Sequence, residues 1–465
     1  MQIEGVVPRS VENSGDVTRI GVQGVVPRPV ENSRDVTRID VRRVFHRSRY
    51  DPLVVDLSWD PLLVSVGAYI LFAVGRVHEL FPALMALKPT LLAGAIAIVL
   101  FWSDRHAERR VGPLFIPTTR CLIAFCGWML LSVPWALVVG NSFELAVNNF
   151  LKTFVMFFII AGAVRGPRDV ERLLWIYFLS ATVYAAVVLT RFDDGGRLGK
   201  LYYYDANDFA TFAVTAIPFG LFGLRVGRSA LTRGFAAAGL LLLTLAFLRT
   251  GSRGGFLALM VMGGYLLIKF KTVRIQWRLA AAGAVVVVAL AAASTEYWER
   301  MGTILSDDDY NRTDESGRVQ IWQRGLGYML SFPVFGVGPN NFGTAEGTLS
   351  ELATRQQFGV GVRWNAPHNS FVQVAAELGV VGIVLFIALF VTAFKALRVA
   401  GLRRRTPRGE PALLSQTLTA SLLGFVAGAF FLTLAYSEML FTLLALVVAW
   451  HKVASFKPRL RAVAA

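Results

Sequence analysis

The stretch NAPHNSFVQVAAELGVVGIVLFIALFVTAF, residues 365–394, places a histidine and an asparagine directly before a run that is almost wholly apolar. A helix needs about 20 apolar residues to cross the hydrocarbon core of a bilayer. The run reaches that length, so it predicts a transmembrane helix that begins just after His368. His368 is then either an ordinary helix-end residue or the working group of a site at the membrane surface, and the rest of the chain must decide.

The composition also indicates that lipid is the solvent. Of the 465 residues, 55% are hydrophobic and 17% are charged, and the mean hydropathy is +0.53; a soluble domain has about 25% charged residues. The net charge of +16 is better explained by cytoplasmic loops rich in Arg and Lys than by nucleic-acid binding. We therefore predict an all-α polytopic membrane protein that contacts membrane lipids and has no nucleic-acid partner.

About twelve apolar segments qualify as transmembrane helices. If the N-terminus is cytoplasmic and the loops alternate sides, 33 of the 47 Arg and Lys residues fall on the inner side. The positive-inside rule then predicts that both termini are cytoplasmic. The predicted spans are residues 59–76, 83–102, 118–139, 146–164, 171–190, 208–225, 235–249, 253–270, 279–295, 370–394, 413–434 and 437–451.

These spans divide the chain into five regions. Residues 5–20 and 24–39 match at 14 of 16 positions, a duplication with a period of 19, and their polar composition predicts disorder. One large loop, residues 296–369, is predicted to lie on the outer face and to carry an amphipathic helix near residues 316–330. The predicted regions are a disordered segment 1–50, spans one to nine in 59–295, the loop 296–369, spans ten to twelve in 370–452, and a cytoplasmic tail 453–465.

Several arginines lie on the predicted outer side, against the overall charge bias. Arg suits an anionic phosphate group because its planar guanidinium donates two hydrogen bonds at once. The alternative for each residue is contact with lipid headgroups. Arg253 is singled out because it lies in a tight turn between two spans and precedes two glycines. The other outer arginines considered are Arg191, Arg197, Arg249, Arg318 and Arg324.

His368 adjoins both the large loop and these arginines. Histidine can accept a proton near neutral pH, so His368 could deprotonate an attacking hydroxyl while arginines hold a phosphate leaving group. The alternative is a structural histidine at a helix start. No second His, Cys or suitably spaced carboxylate lies nearby in the sequence, which argues against a zinc site.

Four motifs within residues 60–450 resemble the O-antigen ligase / O-antigen polymerase superfamily of bacterial envelope enzymes. SRGGFL (252–257) fits the family's Arg-x3-Leu pattern, and HNSFVQVAAELG (368–379) fits its His-x10-Gly pattern. The residues SGRVQIW (316–322) and FPVFGVGPNNF (332–342) are similar to the start of its large periplasmic loop. YDANDFATFAVTAIP (204–218) is similar to its Asn-bearing entry to a middle span.

The resemblance implies a GT-C-like membrane fold and a glycan donor linked to undecaprenyl pyrophosphate, used without nucleotide, metal or other cofactor. It implies catalytic roles for His368, as the base or as the group that orients the acceptor, and for Arg253 and Arg318 on the pyrophosphate. Inversion of the anomeric configuration is expected for a one-step displacement. The resemblance extends substrate-binding roles to Arg191, Arg197, Asn207, Arg249, Arg324, Asn369 and Gly379.

Three enzymes share these motifs and stay open as alternatives. A ligase transfers finished glycan to lipid A core, a surface polysaccharide polymerase joins repeat units, and a protein O-oligosaccharyltransferase uses a protein acceptor. A glycan transporter or flippase is the alternative from another class, because twelve spans with cytoplasmic termini also fit a transporter. The asymmetric large loop and the few ionisable residues within the spans favour an enzyme.

Overall fold

The computed structural model describes residues 58–109, 111–191, 198, 204–271, 273–305, 310–358, 364–403 and 410–455. The regular structure of these residues is entirely helical, which confirms the predicted all-α class. The predicted disordered segment and nearly all of the predicted C-terminal tail lie outside the described residues.

Ten α-helices among the described residues precede the large loop. Proline occupies the first position of five of them, where its missing N–H costs no hydrogen bond. A π-helical stretch, Glu144–Phe150, interrupts α5. The helices are α1 Pro61–Ala73, α2 Pro82–Met85, α3 Pro89–Ser103, α4 Pro117–Ser132, α5 Val139–Ala163, α6 Pro167–Arg191, α7 Ala206–Val226, α8 Ala230–Thr250, α9 Arg253–Lys269 and α10 Ile275–Ala292.

The large loop and the chain after it supply the other described α-helices. A helix lies where the sequence predicts one near residues 316–330. Short 3-10 turns connect several elements, and the longest of them is Glu351–Phe358. The helices are α11 Thr295–Gly302, α12 Tyr310–Thr313, α13 Arg318–Ser331, α14 Phe342–Thr348, α15 Ser370–Arg403, α16 Glu410–Ala429 and α17 Glu438–Ser455.

Each of the twelve predicted spans overlaps at least one of these helices. Eight described helices are long and apolar enough to cross a membrane, so the chain is an integral membrane protein. Four shorter helices, α1, α3, α4 and α9, occupy the other predicted spans, and the count of twelve stays a prediction. The eight are α5, α6, α7, α8, α10, α15, α16 and α17.

The helices differ in how much of their surface is buried, and this shows which lie at the centre of the bundle and which at its periphery. Nearly every residue of α17 is buried, including Trp450, whose indole Nε1 donates a 2.7 Å hydrogen bond to Ser415 Oγ on α16. By contrast, α10 has no buried residue and packs only against one edge of the bundle, on α8 and α9. The apolar surface of α10 is therefore the surface that lipid would cover.

The long helix α15 is broken at Gly379, where φ is 66° and ψ is −164°. A side chain there would collide with the backbone, because a Cβ would lie 2.4 Å from Val334 O. The break frees backbone groups of α15, and residues of the large loop and of α4 bond to them. These bonds are Val337 N to Ala376 O (2.9 Å), Gly338 N to Glu377 O (3.0 Å), Val380 N to Pro333 O (2.9 Å) and Trp128 Nε1 to Leu378 O (3.0 Å).

One end of the bundle, here called the lower end, is defined by Asp60, Arg109, Arg165 and Asp169. Charged side chains there bond to one another across the start of α1, the end of α3 and the α5–α6 connection. Lys452, near the end of α17, donates to Gly162 O (3.0 Å) and Val164 O (2.6 Å). The further ion pairs of this network are Arg109 with Asp104 and Arg172 with Asp169.

Candidate functional site

The opposite end, here called the upper end, is defined by Arg191, Asn207, Arg249, Arg253 and His368. These residues lie where α6 and α8 end and where α7, α9 and α15 begin. Backbone contacts tie the connections together, since Leu198 N donates a 3.0 Å hydrogen bond to Arg249 O. The fold therefore gathers most of the predicted site residues at one end of the bundle.

His368 is held in an unusual backbone conformation just before α15. Its φ is 45°, a left-handed value that costs a residue with a side chain free energy and often accompanies function. Its backbone N donates a 3.1 Å hydrogen bond to Thr433 Oγ1, and the residue is partly exposed. The backbone of His368 is thus held in place, while part of the residue stays accessible to solvent.

The first turns of α15 are bound to residues 430–437, the segment that connects α16 to α17. Ser370 Oγ donates to Leu432 O (2.8 Å) and accepts from Leu434 N (2.9 Å). Deeper in the helix, Tyr436 donates its hydroxyl to Glu377 Oε2 at 2.9 Å. These buried bonds set the position of the helix start, and with it that of His368.

Arg253 is the first residue of α9, and Ser252 caps the helix by accepting from Gly255 N at 3.1 Å. Arg253 Nη1 donates a 2.8 Å hydrogen bond to Thr303 Oγ1, directly after α11. The next residue, Gly254, lies so close to residues 430–437 that a Cβ would come within 2.7 Å of Phe431 Cβ. Arg253 therefore lies beside the same segment that holds His368.

Arg318 reaches this region as the first residue of α13. Trp322, four residues later on the same helix face, donates its indole Nε1 to Pro367 O at 2.9 Å. The ring of Trp322 also lies 6.5 Å from that of Phe431. Phe431 and Trp322 thus connect the starts of α9, α13 and α15, which carry the three residues predicted to be catalytic.

Three residues predicted to bind substrate have structural contacts here. Asn369 caps α15, because its Oδ1 accepts from Phe371 N (2.9 Å) and Val372 N (3.1 Å). Gly379 forms the break in α15. Asn207 is the second residue of α7, and its backbone N donates to the capping carboxylate of Asp205 at 2.7 Å. Their roles toward substrate stay predictions.

Arg324 forms an ion pair within the large loop. Its Nε and Nη2 donate to Glu346 Oε1 (2.9 Å) and Oε2 (2.6 Å), and the Glu346 side chain is buried. This carboxylate raises the pKa of Arg324 above its ordinary value. Tyr328 also donates its hydroxyl to Glu346, at 2.8 Å. The guanidinium of Arg324 is thus engaged by protein, and substrate binding by Arg324 stays a prediction.

The remaining two predicted residues are Arg191, the last residue of α6, and Arg197, which follows that helix. Arg191 Nη1 donates to Leu80 O at 2.9 Å, and its guanidinium carbon lies 5.3 Å from the centre of the Phe81 ring. Arg197 lies outside the described residues. No group of three His, Cys, Asp or Glu residues that could hold a metal ion occurs among the residues that the structure describes.

Sequence reasoning did not single out Arg300, Thr433 or Glu377. Arg300 lies on α11 and lines a small pocket together with Arg249. Thr433 and Glu377 make the hydrogen bonds that fix the start of α15. The only available signal was the unusual position of Glu377 within an apolar run, since a carboxylate there needs a buried partner.

The fold and the upper end define a class: an all-helical integral membrane protein that gathers a histidine and several arginines at one end. Residues 238–387 match the O-antigen ligase family. An O-antigen ligase of Pseudomonas aeruginosa is 26% identical over 362 residues, which cover 73% of this chain and 77% of that relative. Both findings support the O-antigen ligase superfamily, as the motifs predict, and with it glycan transfer of that type.

Proposed function

We propose that the protein transfers a glycan from a polyprenyl pyrophosphate carrier to an acceptor hydroxyl. The observation that carries this proposal is the meeting of the starts of α9, α13 and α15 around Phe431 and Trp322. This places Arg253, Arg318 and His368 in one region. A base and paired guanidinium groups are the chemistry that this transfer needs.

His368 takes the proton in this proposal. The acceptor oxygen attacks the anomeric carbon, its O–H bond breaks, and the proton passes to the imidazole of His368. The bond from the anomeric carbon to the phosphate oxygen breaks at the same time, and its electron pair leaves with the polyprenyl pyrophosphate. A single displacement of this kind inverts the anomeric configuration.

Arg253 and Arg318 stabilise the leaving group. Negative charge builds on the bridging phosphate oxygen as the bond breaks, and preorganised guanidinium groups stabilise such charge strongly at a site shielded from water. The hydrogen bond from Arg253 to Thr303 supports preorganisation, because it restricts the side chain before the donor binds.

The upper end faces the periplasm in this proposal, and the protein lies in the bacterial inner membrane. The charge bias of the loops supports that orientation. The buried ion pairs of the lower end then lie near the cytoplasmic surface. The acceptor is a glycan, lipid A core or a protein hydroxyl, and the product identifies which.

The test is made in a bacterial host that lacks its own ligase and polymerase but makes the lipid-linked glycan. The wild-type chain and His368→Ala are expressed, their membrane insertion is checked, and envelope glycans are separated on a gel. We expect a ligated product or a ladder from the wild type, and a loss of about 10²–10⁴-fold in transfer from His368→Ala with accumulation of donor.

His106→Ala is the matched control, because His106 is an exposed histidine near the lower end. It should leave the glycan pattern unchanged. A single ligated band indicates a ligase, a ladder a polymerase, and glycan on protein an O-oligosaccharyltransferase. Equal transfer by wild type and His368→Ala would contradict the proposed role of the histidine.

A further inference from the structure

The short helix α11 closes a small pocket at the upper end of the bundle. Tyr297 and Met301 anchor this helix, since they are only 5% and 8% exposed. The pocket lies between α11, the end of α10 and the turn from α8 to α9. Its lining includes three charged residues, Arg249, Glu296 and Arg300.

Arg300, a residue of the large loop, contributes a positively charged side chain to the lining of this pocket. Its Nε is shielded from solvent and has no hydrogen-bond partner among the described residues. A buried N–H without a partner is costly, so it calls for an explanation such as a bound water or ion. Arg300 therefore combines a side chain that lines the pocket with a nitrogen whose hydrogen bond is not made among the described residues.

Arg253 is also connected to the backbone of Arg300 through the hydroxyl of Thr303. The hydroxyl of Thr303 accepts from Arg253 Nη1 at 2.8 Å and donates to Arg300 O at 2.8 Å. Arg249 lines the same pocket as Arg300. One hydroxyl and one pocket thus bring three arginines together around the α8–α9 turn, although Arg300 is far in sequence from Arg249 and Arg253.

The charges that face the pocket favour an anion. Arg249 and Arg300 contribute two positive charges to its lining, and Glu296 contributes one carboxylate. The pocket has a volume of about 20 Å³, which is enough for one water-sized group. It would accept a single phosphate oxygen while the rest of the phosphate group stays outside.

We propose that Arg300 is a further donor-binding residue, which acts with Arg249 on an oxygen of the donor's pyrophosphate. The inference rests on the proposed function and deepens it by adding a residue from the large loop to the arginines at the bundle end. The same chemistry would recognise a phospholipid headgroup, so the experiment must separate these two sources of phosphate.

The test uses the full-length protein in phosphatidylcholine nanodiscs, with farnesyl pyrophosphate as the probe. Binding is measured for the wild type, Arg300→Ala, Arg300→Lys, Glu296→Gln and Arg355→Ala. We expect Arg300→Ala to weaken binding about tenfold or more, because it removes a hydrogen bond to a charged group. Arg300→Lys should recover part of this loss, because lysine restores the positive charge but lacks the planar guanidinium that donates two hydrogen bonds at once.

Two variants separate ligand binding from a structural role. Arg355 is an exposed loop arginine that pairs with Glu315, so Arg355→Ala should leave binding unchanged. Glu296 lies four residues before Arg300 on α11. If Arg300 served only to pair with Glu296, Glu296→Gln would weaken binding as Arg300→Ala does. We expect Glu296→Gln to bind the probe as tightly as the wild type or more tightly.

The outcomes also separate this inference from the proposed function. If wild type and Arg300→Ala bind farnesyl pyrophosphate equally, the inference is overturned while the proposed donor chemistry stands. If the wild type does not bind the probe, the inference is overturned, and the proposed function is still decided by transfer from the lipid-linked glycan. The measurement is repeated with phosphatidylglycerol in the nanodiscs. If this lipid abolishes the difference between the two proteins, the pocket binds headgroups and the inference is wrong.

Discussion

Arginines at the two ends of the bundle are held by different kinds of group. At the lower end, Arg109 and Arg165 bond to aspartates. At the upper end, Arg253 bonds to the hydroxyl of Thr303, and a shielded nitrogen of Arg300 has no described partner. A carboxylate neutralises a guanidinium, whereas a hydroxyl orients it without adding a compensating charge.

This difference separates a structural use of charge from a use in binding. The lower end connects α1, α3, α5 and α6 through ion pairs that are largely buried, and breaking one partner of such a pair is strongly destabilising. At the upper end, hydrogen bonds of Ser370 hold the start of α15, and one ion pair, Arg76 with Glu438, joins the end of α1 to the start of α17. In the proposed function, Arg253 and Arg300 bind an anionic substrate.

Among the substitutions that test this contrast, those at Arg253 are expected to change the transfer rate most. Arg253→Ala should reduce donor use by about 10²-fold or more, since one preorganised donor to a developing negative charge contributes that much. Arg253→Lys should recover only part of the rate, because a lysine ammonium lacks the planar fork. The measurement is the dependence of the transfer rate on donor concentration in purified membranes.

Arg233→Ala serves as the control for Arg253. Arg233 lies in the first turn of α8, at the end of that helix away from the α8–α9 turn. Its Nε donates a hydrogen bond to Gly227 O at 2.8 Å. Its removal should leave the transfer rate unchanged. Full activity of Arg253→Lys would contradict bidentate phosphate binding, and an equal loss in Arg233→Ala would point to a general effect of arginine removal on the fold.

A second prediction concerns the break in α15. Gly379→Ala should destabilise the protein by about 1–3 kcal/mol or more, because an alanine at this φ and ψ is strained and its Cβ would meet Val334 O at 2.4 Å. The apparent unfolding temperature in detergent should fall. Gly264→Ala is the control, since a Cβ at Gly264 meets nothing within 4 Å. A normal unfolding temperature for Gly379→Ala would contradict this account of the break.

The smallest effect is a pH dependence at the lower end. Burial alone would raise the pKa of Asp60, but hydrogen bonds from Leu63 N and Arg109 hold that pKa below its ordinary value. A carboxyl group whose pKa is lowered in the folded state stabilises the protein above about pH 4. This stabilisation is lost as the pH falls through the folded-state pKa. The unfolding temperature should therefore fall on acidification below about pH 4.

Asp60→Asn is the variant that isolates this contribution. It removes the titrating group, so its unfolding temperature should be lower at neutral pH and should fall less steeply on acidification. Identical pH profiles for the wild type and Asp60→Asn would show that the carboxylate contributes nothing to the pH dependence.

The helices were largely predictable, because apolar length is a local property of the sequence. The site was predictable only in part. His368 and Arg253 come together through Phe431 and Thr433, and no local pattern marks residues 430–437 as their partner. Arg300 was missed because it lies on an eight-residue helix, too short to show a clear period.

Motif resemblance also assigned substrate roles to residues with clear structural contacts. Asn369 caps α15, and asparagine directly before an apolar run is a common helix-start signal that could have indicated this. The ion pair of Arg324 with Glu346 joins residues 22 positions apart. Such a pair depends on the folding of the loop, so a sequence pattern does not reveal it.

The most direct test of the central claim uses the purified protein in liposomes with a polyprenyl-pyrophosphate-linked glycan and an acceptor. Release of polyprenyl pyrophosphate, glycan on the acceptor and the anomeric configuration of the product are measured together. We predict that release equals transfer, that the configuration inverts, and that His368→Ala prevents both release and transfer. Movement of intact donor across the bilayer without bond cleavage would contradict the account and favour a transporter.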